Sequence, residues 1–407
     1  MVYSTDDVPV APGATLDDLR RQNLTQVLRL IHHEGPLSRA DITRATGLNR
    51  STVGGLVGEL RDNGLLDEFD AARTRKVGRP SAQLGASDSS VVIAVNPEVD
   101  AIDVGVVAMG GRILRRIRYR NHHVPTVEEF VNIVAVIVEG LTGPDDARRL
   151  LGVAVAVPGL VRESDGTVLL APHLGWRDEP VGALVEQATG FPVAAANDAN
   201  CGVVAESIFG AARRSGVVVY LNGGASGIGS GITIDGHLLG GHSGHAGEFG
   251  HTLVNSQGER CHCGAIGCLE TEVRRGRLVD VLGADDERGA LGDVLAAAWR
   301  SGSGPVRDEI ARQLAYIGTA LRTIVNSLNP QTIVLGGFLA ALLDAVGPDA
   351  MKEAAGATLP GGLSDLEIVS TSLGEDILLI GAAEMLIQPL IEDPMRLRSL
   401  NTERSVR

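Results

Sequence analysis

The chain contains few of the features that would indicate an extracellular or membrane-bound protein. Its 407 residues include only 4 cysteines, too few to hold so long a chain by disulfide bonds, which favours a reducing compartment. The N-terminal stretch MVYSTDDVPVAPG is acidic and has no apolar core, so no signal peptide is predicted. The longest apolar stretch, TIVLGGFLAALL, is interrupted by glycines and is too short to cross a bilayer. We therefore expect a cytoplasmic protein that has no membrane partner.

Positive charge is also scarce, except near the N-terminus. The net charge of −14 argues against a protein that coats nucleic acid with its whole surface. Residues 1–85, however, contain 11 Arg and Lys against 11 Asp and Glu, so the excess of acid lies entirely beyond them. This asymmetry favours an N-terminal part that faces DNA or another partner.

Residues 15–85 have the pattern of a winged helix-turn-helix domain. Apolar residues recur at helical spacing in LDDLRRQNLTQVLRLIHHEG, and a Gly-Pro pair ends that helix. Ser38, with Asp41 three residues later, is the predicted N-cap of a short helix, and Asn49 is the predicted N-cap of the next one. Two short helices joined by a glycine-containing turn are typical of a helix-turn-helix. The segments LLDEFD and SAQLGA are candidates for the two strands of a wing.

A basic segment, ARTRKVGRP, lies between the two candidate wing strands. It places four cations within residues 73–79 and ends in the triplet Gly78-Arg79-Pro80. Such a triplet keeps the backbone extended and presents an arginine that can enter a minor groove. Taken alone the triplet is more often a loop than a DNA contact. Beside a helix-turn-helix and three further cations, we interpret it as a DNA contact.

Beyond residue 85 predicted strands and helices alternate, which favours an α/β architecture. Within this part, PVAAANDANCGVVAES ends a strand with Asn197 and Asp198, where a helix begins. Ligand sites of α/β folds gather at such strand ends, and these side chains suit sugar hydroxyls. The alternative is that Asp198 only caps the helix. The glycine-rich stretch VVVYLNGGASGIGSGI suits the approach of phosphate or sugar oxygens, and a tight hairpin is an equal interpretation.

The stretch GEFGHTLVNSQGERCHCGAIGCLET has the spacing of a structural zinc site. Cys261, Cys263 and Cys268 lie within eight residues, and His251 lies upstream. Three thiolates and one imidazole match a Cys3His site, in which all four positions are protein atoms and none is left for an activated water. A disulfide bond would use only two of the three thiols, and His262 is an alternative to His251 as the fourth ligand.

Taken together, these residues resemble the ROK family of repressors, open reading frames and sugar kinases. The matching pieces are VAVPGLV, APHLGWRDEP, ANDANCGVVAE, GASGIGSGITIDGHLLGG, HAGEFGH, CHCGAIGCLE and LNPQTIVLGG, and the resemblance extends from about Leu16 to about Leu390. The fold that it implies is actin-like (ribonuclease H-like), with two α/β lobes and a ligand cleft between them. The implied organisation is a disordered tail at 1–14, a winged helix-turn-helix with its GRP linker at 15–85, lobe 1 at 86–196 completed by a helix at about 380–395, and lobe 2 with a zinc loop at 197–380.

The resemblance also implies roles for individual residues. Those expected to contact a sugar are Asn197, Asp198, Glu248, His251, Glu270 and Gly159. Asp198 stands where the family's kinases have their catalytic base. His251 would use one ring nitrogen for Zn²⁺ and direct the other at the sugar. The zinc ligands remain His251, Cys261, Cys263 and Cys268, with one structural Zn²⁺ per chain.

Two departures from the family pattern affect the expected activity. Kinases of the family bind phosphate with Asp-x-Gly-Gly-Thr-Lys, where this chain has NPEVDA at residues 96–101. Glu98 and Val99 replace the glycines, and Asp100 replaces the threonine. Each carboxylate would repel ATP phosphates by on the order of 1 kcal/mol or more, so we expect no enzymatic phosphoryl transfer. His173 stands where the family more often has Asn, which bears on sugar specificity.

The N-terminal domain decides between the branches of the family, because its repressors carry a winged helix and its kinases do not. We therefore expect a DNA-binding transcriptional regulator, a repressor of carbohydrate uptake or catabolism genes that responds to a sugar or sugar phosphate. A homodimer or homotetramer would bind two half-sites of operator DNA. The alternatives are an ATP-dependent sugar kinase with an accessory domain and a zinc-stabilised interaction module. The expected DNA contacts are Ser38, Arg39, Asn49, Arg50, Ser51, Thr52, Gly78, Arg79 and Pro80.

Overall fold

The computed structural model describes residues 15–69, 82–143, 148–224, 226–242, 244–283 and 291–395. No helix within these residues is both long and apolar enough to cross a membrane. The described chain forms an N-terminal helical domain with a small sheet, followed by two five-stranded sheets that are each flanked by helices.

The N-terminal domain has the predicted winged helix-turn-helix fold. Its elements are α1 (Leu16–Glu34), β1 (Leu37–Ser38), α2 (Arg39–Thr46), α3 (Arg50–Asp62), β2 (Leu66–Phe69) and β3 (Gln83–Ala86). Strand β3 lies between β1 and β2 and is antiparallel to both, which confirms the two predicted wing strands. Apolar side chains of the three helices and the wing form its core, among them Leu24, Leu28, Ile31, Val53, Leu60 and Leu84.

The caps predicted from the sequence determine where the helices of this domain begin. The Ser38 hydroxyl accepts a hydrogen bond from the Asp41 amide (3.2 Å), and the Asp41 carboxylate accepts one from the Ser38 amide (3.3 Å). This reciprocal pair is a capping box that satisfies two backbone donors at the start of α2. Asn49 caps α3 by accepting from the Thr52 amide (2.9 Å). Gly47 ends α2 with φ +70°, a left-handed conformation that glycine adopts without steric cost.

The first large sheet has the spatial order β6-β5-β4-β7-β11. The elements of this part are β4 (Ser90–Pro97), β5 (Ala101–Ala108), β6 (Arg112–Arg120), α4 (Val127–Leu141), β7 (Arg149–Val157), β8 (Leu160–Arg162), β9 (Thr167–Ala171), β10 (Trp176–Glu179), α5 (Val181–Thr189) and β11 (Val193–Asn197). Strands β4, β5 and β6 form an antiparallel meander, and β7 pairs in parallel with both β4 and β11. Helices α4 and α5 cover one face, and β8, β9 and β10 form a separate small sheet.

The second large sheet repeats the same topology, with the order β14-β13-β12-β15-β16. The elements of this part are α6 (Asp198–Ile208), β12 (Val217–Gly224), β13 (Gly227–Ile234), β14 (His237–Leu238), α7 (Leu269–Glu272), α8 (Arg275–Leu282), α9 (Leu291–Ser301), α10 (Pro305–Leu328), β15 (Thr332–Gly337), α11 (Phe338–Val346), α12 (Pro348–Ala355), β16 (Glu367–Ser370) and α13 (Ile377–Glu392). In both sheets a three-stranded meander is followed by two strands that extend the sheet in parallel. The repeated arrangement is that of an actin-like fold.

Helices α6 and α13 lie against each other between the two sheets. Helix α13 packs on β4, β5, β7 and β11 of the first sheet, whereas α6 packs on β12 and β13 of the second. Their backbones touch, because a Cβ atom at Gly381 would overlap the carbonyl oxygen of Cys201. Cys201 is buried in this interface, where it packs as a small core residue.

Candidate functional site

A cavity of about 210 Å³ lies between the two large sheets, at the ends of β11 and β12. The structure brings all six residues expected to contact a sugar to its lining: Gly159, Asn197, Asp198, Glu248, His251 and Glu270. The described lining residues also include His173, His245, His262 and Asn222, and none of them is Lys or Arg. The cavity therefore combines carboxylates, imidazoles and amides without a permanently positive side chain.

Asp198 is the first residue of α6 and is almost completely buried. Its Oδ1 accepts a hydrogen bond from the Ala199 amide (2.8 Å). Burial raises the pKa of Asp198 to about 7, and the nearby carboxylate of Glu248 acts in the same direction. The residue that caps α6 is Asn197, so the interpretation of Asp198 as only a helix cap is wrong.

Asn197 connects the loop at Gly159, on one side of the cavity, to the start of α6 on the other side. Its Oδ1 accepts from the Asn200 amide (3.0 Å) at the start of α6, and its Nδ2 donates to the Gly159 carbonyl (3.0 Å). A Cβ atom at Gly159 would overlap the Leu170 carbonyl oxygen, so this loop has room only for glycine. Asn197 thus fixes the Gly159 loop relative to α6 while it lines the cavity.

The glycine-rich stretch forms the β12–β13 hairpin, which confirms the hairpin interpretation, and its tip borders the cavity. Gly227 has φ +120°, and a Cβ atom there would lie 2.5 Å from Oε2 of Glu270. On the same hairpin, the Ser230 hydroxyl donates to the Gly247 carbonyl and accepts from the Phe249 amide (2.9 Å). Ser230 therefore holds the turn that carries Glu248.

Two further residues, Ser230 and Asn222, contribute to the site and were not predicted from the sequence. Asn222 stands near the end of β12 and makes a side-chain hydrogen bond with Asp198. The sequence does contain a pattern that could have predicted Asn222. It follows the apolar run VVVYL in the same way that Asn197 follows PVAAA. Ser230 had no such signal, because a serine between glycines does not show which carbonyl it will reach.

The cysteine-rich segment forms a compact cluster beside the cavity. A ring nitrogen of His251 and the Sγ atoms of Cys261, Cys263 and Cys268 all lie within 4.8 Å of one another. Nδ1 of His251 is 3.5 Å from Sγ of Cys261, and Sγ of Cys263 is 3.7 Å from Sγ of Cys268. Tetrahedral Zn²⁺ with Zn–S bonds of about 2.3 Å and a Zn–N bond of about 2.0 Å separates its ligand atoms by roughly 3.5 to 3.8 Å. The donor set and its spacing therefore fit Zn²⁺.

His262, the alternative fourth ligand, is oriented differently. Its Nδ1 lies 3.0 Å from Oε1 of Glu270, which is also 2.9 Å from Sγ of Cys261. A second group of potential ligands consists of His251, Cys261, His262 and Glu270. Glu270 thus lies between the cysteine cluster and the cavity. A metal held by His251 and the three cysteines does not use the Glu270 carboxylate, which can then face a ligand in the cavity.

Ion pairs hold the cysteine-rich loop against the helices of the second lobe. Glu259 pairs with Arg274 (2.6 Å) and with Arg277, both near the start of α8. The buried carboxylate of Glu272 accepts a hydrogen bond from the Glu259 amide (3.0 Å). The Arg312 guanidinium in turn donates to the Glu272 carbonyl (2.8 Å). One side of the loop is therefore fixed by protein contacts alone.

The expected DNA contacts lie at the N-terminal ends of α2 and α3. Arg50 and Ser51 are exposed, whereas Ser38 is buried and its hydroxyl is used in the capping box. Arg39 forms a two-point ion pair with Glu68 of β2 (2.5 and 3.2 Å). The remaining positions are Asn49, which caps α3, Thr52, whose amide donates to that cap, and Gly78, Arg79 and Pro80, which lie outside the described residues.

Residues 96–101, which the sequence resemblance places opposite the kinases' phosphate motif, span the end of β4, a turn and the first residue of β5. Asn96 is buried and its Nδ2 donates to the Ala156 carbonyl (2.9 Å). The Asp100 carboxylate pairs with Arg118 of β6 (3.1 Å). These side chains contact neighbouring strands, and Glu98 and Val99 complete the turn.

Comparison with known proteins extends these observations. Residues 92–388 match the ROK family, and residues 18–76 match the MarR family. The xylose repressor of Caldicellulosiruptor bescii is 30% identical over 78% of this chain and 83% of its own length. The DNA-binding transcriptional repressor Mlc of Escherichia coli is 26% identical over 93% of this chain and 95% of its own length.

Solved structures show the same relationship. The crystal structure of a ROK family transcriptional regulator, a homolog of E. coli Mlc, superposes with a TM-score of 0.71 at 26% identity, over 92% of this chain and 97% of that one. A ROK glucokinase from Streptomyces griseus, in complex with glucose and AMPPNP, gives 0.61 at 28% identity over 73% of this chain and 99% of the kinase. With the family match covering most of its length, the chain belongs to the ROK family and carries a winged helix-turn-helix domain at its N-terminus.

Proposed function

We propose that this protein is a sugar-responsive, DNA-binding transcriptional regulator that represses genes of carbohydrate uptake or catabolism. The observation that carries this proposal is the presence, in one chain, of a winged helix-turn-helix domain and a polar cavity between two α/β lobes. Relatives that align with more than nine-tenths of the chain include repressors. The glucokinase of Streptomyces coelicolor aligns with a smaller share, 71% of the chain, and with 95% of itself.

The effector that suits the cavity is a neutral, unphosphorylated monosaccharide. Asp198, Glu248 and Glu270 offer acceptors for sugar hydroxyls, and the imidazole of His251 adds a donor or an acceptor. A phosphate group would need cationic partners, and the described lining residues include neither Arg nor Lys. The names of the relatives suggest D-xylose and D-glucose as the first sugars to test.

The binding roles of the six cavity residues are part of this proposal. Asp198, Glu248, His251 and Glu270 would contact the sugar directly. Asn197 and Gly159 would shape the wall of the cavity, because the Asn197 amide is already bonded to the Gly159 loop and to α6. We separate wall residues from sugar contacts in this way because both polar atoms of the Asn197 side chain are already used in hydrogen bonds within the protein.

We assign Zn²⁺ to His251, Cys261, Cys263 and Cys268. A closed tetrahedral site of this kind supplies rigidity and does not activate water. His251 directs Nδ1 at the cysteines, so its other ring nitrogen remains for the cavity that the ring lines. The cluster would hold His251 and Glu270 at the positions from which they reach a sugar.

Phosphoryl transfer is not part of the proposed function, although Asp198 stands at the position of a catalytic base. The turn that would meet ATP phosphates carries two carboxylates, Glu98 and Asp100, and the bulky Val99. Their charge opposes the approach of a triphosphate. Incubation with ATP, Mg²⁺ and either sugar should therefore yield no sugar phosphate above the level of a protein-free control.

DNA would bind at the N-terminal ends of α2 and α3. Arg50 and Ser51 are exposed at the start of α3, the helix that would enter a major groove with Asn49 and Thr52 at its tip. Arg39 would be oriented by Glu68, and Ser38 would act through the capped end of α2, which favours a phosphate. Gly78, Arg79 and Pro80 are proposed to reach the adjacent minor groove.

Sugar binding would act on DNA binding by changing the arrangement of the two lobes. We propose lobe 1 as residues 86–196 with the helix at about 380–395, and lobe 2 as residues 197–380. A homodimer or homotetramer would then set the spacing of two DNA-binding domains. For the sugar to weaken DNA binding, it must prefer the arrangement whose spacing does not fit the operator.

The test combines DNA selection with a sugar screen. A pool of random duplexes is enriched on the purified protein, and the selected duplex is titrated with and without D-xylose or D-glucose. The proposal predicts sequence-specific binding that one of the sugars weakens. A protein that selects no sequence, or that binds the sugar without any effect on DNA affinity, would contradict it.

A further inference from the structure

A buried hydrogen bond between two side chains connects the DNA-binding domain to the helix that lies between the lobes. Nε2 of His32, near the end of α1, is 3.2 Å from both carboxylate oxygens of Glu384 on α13. The exposed fractions of the two residues are both 1%. The partners are 352 residues apart in the sequence. Two such residues meet only because α1 docks on α13.

Hydrogen bonds on both sides fix the orientation of this pair. The Gly110 amide donates to Nδ1 of His32 (2.9 Å), so Nδ1 is the acceptor and Nε2 carries the proton directed at Glu384. Gln388, one turn further along α13, donates to Glu384 (2.7 Å). The carboxylate of Glu384 thus has one donor from the DNA-binding domain and one from its own helix.

The docking surface around the pair also includes the end of α6. Phe209, immediately after α6, contacts the His32 ring edge-on, with the ring centroids 5.2 Å apart. Arg213 donates to the His33 carbonyl (2.5 Å) and pairs with Glu34 (3.2 Å). The last turn of α1 therefore touches α13 and the segment that directly follows α6.

The same two helices lead back to the cavity. Helix α6 begins at Asp198 in the cavity and ends beside Phe209. The backbones of α6 and α13 touch at Cys201 and Gly381, one turn of α13 before Glu384. The apolar core of the N-terminal domain is also continuous with the core between α13 and the first sheet. A shift of α6 on α13 would therefore reach the contacts of α1 directly.

We propose that His32 and Glu384 are the positioning residues that couple sugar occupancy of the cavity to the DNA-binding domain. Separation of α1 from α13 would leave the buried Glu384 carboxylate without its donor from α1, which is costly in a dry interior. The pair therefore makes α1 move together with α13 instead of swinging independently. This inference rests on the proposed function, since it names the contact through which the sugar signal leaves the cavity.

The test uses full-length variants of both partners. His32→Asn retains an acceptor near the Gly110 amide but is too short to reach Glu384, whereas His32→Gln is long enough to donate to Glu384. Glu384→Gln removes the charge and keeps the shape. The matched control is His123→Asn, because His123 and Glu129 form a similar pair (3.0 Å) that is exposed on the surface.

The measured quantity is the ratio of the Kd values for the selected duplex with and without saturating D-xylose or D-glucose. The wild type and the control should show a ratio of at least about fivefold, the lower end of common allosteric couplings. His32→Asn and Glu384→Gln should lower the ratio to within about twofold of unity while their sugar Kd stays unchanged, and His32→Gln should recover part of it. A purely structural role would lower the melting temperature and leave the ratio intact.

A second measurement does not depend on the DNA sequence. Amide hydrogen exchange in the last turn of α1 should change when sugar binds to the wild type and should not change in His32→Asn. If the wild type responds to sugar, and His32→Asn and Glu384→Gln respond as strongly as the wild type, the inference is wrong and the proposed function stands. If the wild type binds no DNA or ignores both sugars, the proposed function itself fails.

Discussion

Sγ of Cys263 lies 3.7 Å from Sγ of Cys268, the separation that two thiolates have when they share one tetrahedral Zn²⁺ and far longer than a disulfide bond. Cys263 is exposed and Cys268 is buried, so the pair spans the wall between solvent and the inside of the loop. A metal at this point would join the exposed part of the loop to the segment that carries Glu270.

Replacement of a cluster cysteine should remove the metal and weaken sugar binding together. We expect Cys268→Ala to lose the single zinc per chain and to bind sugar at least about tenfold more weakly, because the loop that carries Glu270 loses one of its two anchors. Metal content by mass spectrometry and sugar Kd by calorimetry measure the two effects. The control is Cys201→Ala, which removes the buried cysteine of α6. Full sugar affinity in a metal-free Cys268→Ala protein would refute the proposed role of zinc.

Substitution of Asp198 should weaken sugar binding and leave DNA affinity unchanged. At pH 8, above the pKa of about 7, Asp198→Asn removes a charged acceptor from the cavity, and a hydrogen bond to a charged group contributes about 1.5 to 3 kcal/mol, or roughly 10- to 100-fold in Kd. We expect that loss in sugar affinity, with unchanged affinity for the selected duplex in the absence of sugar. Asp235→Asn, in the exposed turn between β13 and β14, is the matched control. Loss of DNA binding by Asp198→Asn alone would contradict the separation of the two sites.

The same substitution should change how stability depends on pH. The folded-state pKa of Asp198 is about 7 against 3.8 for an ordinary aspartate, so between these values the folded protein binds more protons than the unfolded chain. The contribution of this carboxyl to the free energy of unfolding therefore falls as pH rises from about 4 to about 7. Asp198→Asn should be more stable than the wild type at pH 8, by at most about 4 kcal/mol, and the gain should shrink at pH 5. Chemical unfolding of the wild type and the variant at pH 5 and pH 8 measures this difference in stability. A difference that does not depend on pH would argue against a raised pKa for Asp198 in the folded protein.

Arg50 should contribute to DNA affinity through charge. Arg50→Ala should weaken binding of the selected duplex and lower the slope of log K against log salt by about 1 if the side chain neutralises one phosphate. Titrations at three salt concentrations measure both effects. Arg300→Ala, at the end of α9 in the second lobe, is the control. Unchanged affinity and slope in Arg50→Ala would remove Arg50 from the interface.

Local chemistry explains why part of this molecule was predictable. The caps at Ser38 and Asn49 depend on residues at most three positions apart, and the structure confirms both. Cys261, Cys263 and Cys268 are close in sequence, so their spacing alone indicated a cluster. In each case the interacting atoms belong to one short segment.

Long-range polar contacts were not predictable in the same way. The apolar pattern of α1 and α13 shows that both helices have a buried face, but it does not show that His32 meets Glu384 across 352 residues. A buried charge is tolerated only where a partner is present, and that partner is determined by the docking of whole domains. The same holds for Ser230, whose hydroxyl reaches the turn that carries Glu248 only after the β12–β13 hairpin has formed.

The most direct test of the account is the affinity of the full-length protein for its selected duplex, measured by fluorescence anisotropy at fixed salt with and without D-xylose or D-glucose. If the protein is a sugar-responsive repressor, it should bind this duplex sequence-specifically, and one of these sugars should weaken the binding by at least about fivefold, with no consumption of ATP. Specific DNA binding that neither sugar alters, together with conversion of the sugar to a phosphate ester, would contradict it.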